Sequence, residues 1–375
     1  MKKIVLAGII LIVLIVLIIV AGRASEFSWG GAVQGSRPSQ LWVRQASEDM
    51  ELLEREGSLI LKEMREGTTS INGIDYYGRE IWEEAWEGSQ EIIFDRYYWG
   101  HTQLSEGTIS IYDYQGKLVR KAKVPADYKH YWLGPQGEIM FSRSASTGQE
   151  RLEGLYGEKA VVYNARGDQV YQESYAGQGI LDMILLPGTN TLVANRVEIF
   201  PYLSANVVFF TLEGRRLQEA KENQLFFSPV IIEENQWVAL ASGTNVYLYS
   251  FEGVPLFKKE WEGPVKDVFA GPGETLLLVI SQERTLKDQT SLVCLDHKGN
   301  LVWERELPGR YRQGKSRAGQ GIVIETDLFL YLLYPDGNTY ANYAPQEEQE
   351  IYLLSTDTFI AREKETLKAY HWPIQ

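Results

Sequence analysis

A single cysteine, Cys294, in 375 residues removes any internal disulfide. Stability must then come from the core alone, which a chain this long can build. Cys294 sits mid-strand in an apolar run and reads as a small buried hydrophobe. Histidine is almost as scarce: His101, His130, His297 and His371 are scattered, with no Cys or His cluster at metal-ligand spacing. No alternating Asp or Asn ligands end in Glu, and no Gly-rich phosphate loop is present. Positive charge is also in deficit, with 37 Lys and Arg against 50 Asp and Glu, a net charge of −13. That balance argues against nucleic acid, whose binding is driven by clustered cations. The acidic pairs Glu83-Glu84, Glu233-Glu234 and Glu347-Glu348 read as solvated surface on outer strands or turns. No residue is assigned a catalytic, cofactor-binding or metal-binding role.

One stretch lacks charge altogether. Ile4 to Gly22 is nineteen uncharged residues after Lys2 and Lys3, and as a helix it would be about 28 Å long, enough to cross a bilayer core. A cleaved signal peptide would have a shorter apolar region ending in small residues, whereas Arg23 follows Ala21-Gly22 directly. No cysteine follows for lipid attachment. The expectation is an uncleaved single-pass anchor at 4–22, with residues 1–3 in the cytoplasm and the bulk of the chain outside it. Residues 23–40, rich in Gly, Ser and small side chains, read as a stalk, and 41–375 as the folded domain.

What fills that domain is a repeat. Ser291 to Trp303 reads as strand, tight turn, strand, with Asp296 opening the turn and Gly299 supplying its left-handed position. The same unit recurs with glycines Gly78, Gly116, Gly167, Gly214, Gly253 and Gly337, at a mean step of about 43 residues. Four residues before each glycine stand Ile74, Tyr112, Tyr163, Phe210, Tyr249, Leu295 and Leu333. Three residues after stand Ile81, Val119, Val170, Leu217, Leu256, Val302 and Tyr340. Short polar side chains open six of the seven turns, at Asp75, Asp113, Asn164, Thr211, Ser250 and Asp296, and can bond the turn's own backbone. Trp82, Tyr171, Phe257 and Trp303, four after their glycines, read as packing between neighbours.

Two further strands fit between successive hairpins, so each repeat is a four-stranded antiparallel blade of an all-β propeller. The count is eight blades if the last takes its fourth strand from Leu41 to Arg44, which would close the ring. It is seven if residues 48–63 are helical rather than two strands.

The hairpin resembles the repeat of the pyrroloquinoline-quinone-type propellers, the quinoprotein-dehydrogenase-like superfamily. Their blades carry an aliphatic-Asp-x-x-Gly-x-x-aliphatic-Trp signature, complete here at Ile74 to Trp82 and Leu295 to Trp303. The likeness covers about residues 48 to 370 and bears on architecture. The enzymes of that superfamily hold cofactor and calcium in the central funnel, commonly against adjacent cysteines, and a chain with one cysteine lacks that feature. The layout of anchor, stalk and propeller is also similar to membrane-anchored bacterial propeller proteins without assigned activity.

Loop lengths point to one face. The turns joining first to second and third to fourth strands are short, whereas Ser144 to Gly157, Glu198 to Ser204, Gln282 to Gln289 and Arg310 to Ala318 read as long loops on the opposite face. Arg143, Arg151, Arg196, Arg284, Lys287, Arg310, Arg312, Lys315 and Arg317 gather there, with Tyr156, Phe200, Pro201 and Tyr202. The reading is a non-catalytic binding or scaffold module docking another envelope protein or an anionic polymer. The alternative is an extracytoplasmic enzyme, a quinoprotein or one acting on polysaccharide, with its site in the central channel. On the inner strands, Asp182 and Asp267 interrupt an otherwise apolar pattern.

Overall fold

The computed structural model describes residues 38–372, apart from 48–49, 56–57, 88–90, 104–105, 126, 145–156, 199–201, 285–286, 318–320 and 347–348. The expected tail (1–3), anchor (4–22) and most of the stalk (23–37) lie outside the described residues. Among the described residues no helix is long and apolar enough to cross a membrane.

The repeat hairpins have one local design. Gly78 and Gly116 stand at φ +78° and Gly167 at +94°, the left-handed region that glycine enters without strain. Asp75 Oδ1 accepts the backbone N–H groups of Tyr77 and Arg79, both at 2.9 Å. Asp113, Asn164 and Asp296 make the same pair of bonds, and Ser250 makes it through its hydroxyl. Tyr334 has no short polar group to offer. In its turn Asp336 accepts the Asn338 N–H instead. In all seven hairpins the strand register slips by one at the residue four before the glycine, a bulge that adds twist as the outer strand begins.

These hairpins form the outer halves of seven of the eight four-stranded antiparallel sheets. Blade 1 runs from Glu51 to Glu87, blade 2 from Glu91 to Lys123, blade 3 from Tyr128 to Ala176 and blade 4 from Gln178 to Glu222. Blade 5 runs from Val230 to Glu260, blade 6 from Val265 to Pro308 and blade 7 from Tyr311 to Tyr343. Blade 8 takes three strands from Glu350 to His371, and its outer strand is Ser39–Gln45 from the other end of the chain. That strand pairs Gln40 with Tyr370 and Val43 with Lys368. The ring is closed with eight blades, and the ambiguous region is two strands, Glu51–Arg55 and Ser58–Arg65. The first strand begins at Ser39, two residues before the boundary expected between stalk and domain.

The second and third strands of each blade are covered on both faces by neighbouring blades. Thr191–Glu198 and Ser204–Thr211 are therefore buried almost throughout, without the alternation of a strand that has one wet face. Several junctions between blades seat a large ring on a turn glycine of the next blade. The Trp82 ring covers Gly116 of the next blade, where an added Cβ would lie 2.4 Å from it, and its Nε1 donates to the Tyr114 carbonyl at 2.9 Å. Trp303 repeats this on Gly337 and Pro335, and Trp42 of the closing strand does so on Gly78 and Tyr76. Phe257 covers Gly299 without a donor. Trp82 also stacks on Trp99, ring centroids 5.1 Å apart, and Trp99 on Tyr112 at 4.3 Å. Cys294 is buried, as its place in the strand suggests.

The ring seat makes a prediction. Gly214 has φ +86° but open space around it, so Gly214→Ala is expected to cost only left-handed strain, about 1–2 kcal/mol. Gly116→Ala adds a collision with Trp82, and its total is expected at about 3–5 kcal/mol. Urea denaturation of the two variants measures the difference. Equal losses would mean that Trp82 does not sit on the glycine.

Candidate functional site

Two regions can carry a site: the channel enclosed by the innermost strands, and the face onto which the longer connections open. The channel mouth on the short-turn side holds a cavity of about 830 Å³. It is spanned by charged side chains from blades that are not neighbours. Arg96, in the first turn of blade 2, donates through Nη1 to the Ile231 carbonyl of blade 5 at 2.8 Å, and its Nε lies 3.1 Å from Glu233 Oε1. The Tyr97 hydroxyl donates to the same Glu233 oxygen at 2.8 Å. Burial first, and then the bonded Glu233 carboxylate, push the Tyr97 pKa well above its ordinary value. Glu233 is thus one end of a strap across the channel, where its sequence suggested only solvated surface.

A second strap joins Lys315 of blade 7 to Glu54 of blade 1 at 2.5 Å, with Lys315 also donating to the Leu354 carbonyl of blade 8 at 3.0 Å. Asp182 lines the same cavity at a bulge in the inner strand of blade 4. Burial pushes its carboxyl up to about 6, opposed by a hydrogen bond with Ser228 and reinforced by the charge of Asp95. Asp267 occupies the matching bulge in blade 6 and accepts the Tyr311 hydroxyl. Its pKa is likewise raised by burial. Among the described residues no group of three or more His, Cys, Asp or Glu is placed to hold a metal ion. The channel can therefore offer paired charges and one carboxyl that titrates near neutrality.

The basic residues expected on the long-loop face do not share one surface. Arg310 to Ala318 is not a loop: Tyr311–Arg317 is the innermost strand of blade 7, which puts Lys315 in the channel and Arg312 3.5 Å from buried Glu325. Gln282 to Gln289 is not a loop either. The strands Thr275–Arg284 and Lys287–Asp296 continue to a pairing of Arg284 with Lys287, so Arg284 lies in a long hairpin. Arg196 is only 7 % exposed, its guanidinium 4.5 Å from the centre of the Tyr175 ring and 3.8 Å from Glu219. Arg143 is clamped by Asp127 through two bonds of 2.8 and 2.9 Å. The Arg310 N–H donates to Asp327 at 2.7 Å. Arg317 lies in the inner strand of blade 7, and Arg151, Tyr156 and Phe200 lie outside the described residues.

Tyr202 stands out into solvent, 83 % exposed. It has company that charge patterning did not reveal. Leu203 follows it in the same connection of blade 4, and Leu225 and Phe227 lie exposed in the connection from blade 4 to blade 5. The Phe227 N–H donates to the Ala241 carbonyl at 3.0 Å, and Asn195 Nδ2 reaches the Phe226 carbonyl at 3.4 Å. The backbone of the connection that carries Leu225 and Phe227 is therefore pinned to two blades.

With this geometry in view, comparisons with known proteins bear on the fold. BamB from Moraxella catarrhalis superposes with a TM-score of 0.52 at 11 % identity, covering 91 % of this chain and 99 % of that one. The fold is a β-propeller. The WD40 domain of SCAP from fission yeast superposes on this propeller with a TM-score of 0.53 at 9 % identity, covering 90 % and 98 % of the two chains. At such identities the likeness shows the fold alone. No family model and no curated protein matches the chain.

Asp182 gives the site its test. Its folded pKa of about 6 stands above the ordinary 3.8, so ionising it in place costs stability as pH rises from about 4 to about 6 and the cost persists above that. Asp182→Asn, which keeps an acceptor for Ser228, is expected to stabilise the protein by about 1–2 kcal/mol at pH 7. The gain should vanish near pH 4. Denaturation across that range checks the sign. A variant less stable at pH 7 would mean the carboxylate is favourably solvated or paired.

Proposed function

We propose that the propeller is a non-catalytic binding or scaffold module that docks another protein through the long-connection face of blade 4. The observation that carries this reading is the set of exposed apolar side chains Tyr202, Leu203, Leu225 and Phe227 in two connections of blade 4, the second of them held by two blades. Large apolar and aromatic side chains held out by a rigid frame are suited to act as anchors in a partner's pockets. A protein partner suits them better than an anionic polymer, because much of the basic charge expected on this face is held in ion pairs or drawn into the channel.

The uncharged run Ile4 to Gly22 supports placing the module on a membrane, with the propeller outside the cytoplasm and the partner in the cell envelope. The complete hairpin signatures at Ile74 to Trp82 and Leu295 to Trp303 support membership of the pyrroloquinoline-quinone-type repeat superfamily. One observation favours an enzyme instead, namely Asp182, a carboxyl titrating near neutrality in a cavity of about 830 Å³.

Recovery of partners from crosslinked native membranes tests the reading. The native chain is expected to retain a discrete protein that Tyr202→Ser with Phe227→Ser loses, while Asp182→Asn retains it. Equal recovery by all three would remove the blade 4 face from the account. Loss only with Asp182→Asn would move the function to the channel.

A further inference from the structure

The outer strands of the ring differ sharply in charge. Leu118–Lys123 of blade 2 carries Arg120, Lys121 and Lys123 and no acid, whereas Glu80–Glu87 of blade 1 carries four Glu and no base. On a chain of net charge −13 such a strand stands apart. It also borders a cleft of about 500 Å³ between blades 2 and 3, within the size range of ligand sites.

The cleft follows from one departure in the repeat. Where Trp82 and Trp303 cover the next blade's glycine, the corresponding residue of blade 2 is Arg120. Its Nη1 donates to the carbonyls of Asn164 at 2.7 Å and Gly137 at 3.1 Å, so neutral acceptors hold it, with the charge of Glu138 nearby. A slender guanidinium in place of an indole leaves the junction open. Ala122, Val124 and Tyr163 give the cleft part-exposed apolar walls above the buried Ile139 and Phe141, and among the described residues no carboxylate lines it. Among its cations Arg143 is held by Asp127, and Lys121 lies 3.5 Å from Glu106. Lys123 and Arg166 are exposed and form no ion pair among the described residues.

The backbone matters as much as the charge. Leu118–Lys123 pairs with Thr108–Tyr112 on one side, and its other edge has no strand partner among the described residues. The consecutive residues Arg120 to Pro125 all line the cleft, so it runs along the strand. An unpaired edge offers N–H and C=O groups for a further strand, and apolar walls accept every second side chain.

We propose that an extended acidic segment of a partner protein lies in this cleft, adding a strand to Leu118–Lys123 and setting carboxylates on Lys123 and Arg166. An anionic glycan would satisfy the cations but neither the free edge nor the part-exposed Val124 and Tyr163. A second copy of this chain could offer Glu80–Glu87. The surface is separate from the blade 4 face, so each can fail without the other.

The test uses the full chain in detergent and a fluorescein-labelled octapeptide of alternating Glu and Val, read by fluorescence polarisation. The expected result is saturable binding that added salt weakens. Lys123→Glu with Arg166→Glu should weaken it by about tenfold or more, with the melting temperature unchanged because both side chains are exposed. A peptide with Lys for Glu, or one N-methylated at every second residue, should not bind. Equal affinity for the double variant, or undiminished binding of the N-methylated peptide, would overturn the proposal. So would binding of a sulfated oligosaccharide but not the peptide, or self-association of the native chain that the double variant abolishes.

Discussion

The ring depends on one contact repeated at four of its eight junctions: an aromatic ring laid on a glycine that has no Cβ to lift it. Where the ring is tryptophan it also donates to a carbonyl in the next turn, so Trp82, Trp303 and Trp42 each fix position and angle together. Apolar area makes the contact favourable, and the single hydrogen bond makes it directional. Trp42 matters most, because its strand comes from the start of the domain and seats the last blade on the first. Closure leaves the blades no freedom to splay, and loops carried by them inherit that rigidity.

The polar features arrange themselves around this frame. Inner strands line the channel, and they carry the part-buried carboxyls Asp182 and Asp267 at bulges together with Lys315. The strap from Arg96 to Glu233 then ties blades 2 and 5 across the axis, the one from Lys315 to Glu54 spans blade 8, and both neutralise charge in pairs. Exposed pairs of this kind contribute little to stability. Their consequence is local, since they occupy the channel mouth with side chains already committed to one another. Surfaces left without such commitments lie elsewhere, in the apolar connections of blade 4 and along the basic outer strand of blade 2.

Much of the fold was legible because the hairpin is specified locally. A turn-opening Asp, a left-handed glycine and flanking apolar residues lie within nine residues, so Ile74 to Trp82 announces itself without knowledge of what it packs against. Ring closure was legible by counting strands. The site was less so. Tyr311–Arg317 read as a loop because it holds Arg312, Gly314, Lys315 and Arg317, yet a strand lining a wet channel needs polar residues, and composition cannot tell the two apart. The hairpin through Arg284 and Lys287 misled in the same way. Burial of Arg196 against Tyr175, and the reach of Arg96 to Glu233, join residues distant in sequence or in different blades. No pattern within one repeat encodes them.

Pairing of Ser39–Gln45 with the last blade is the claim on which the closed scaffold rests, and a cystine tests it most directly. Val43 and Lys368 stand opposite one another across that pair, at a separation a disulfide can span. With Val43→Cys and Lys368→Cys in the full chain, mild oxidation is predicted to join the two within one molecule and to raise stability by about 2–5 kcal/mol. Thiols that stay free, or that join only between two molecules, would show that the ring is not closed by its own first strand.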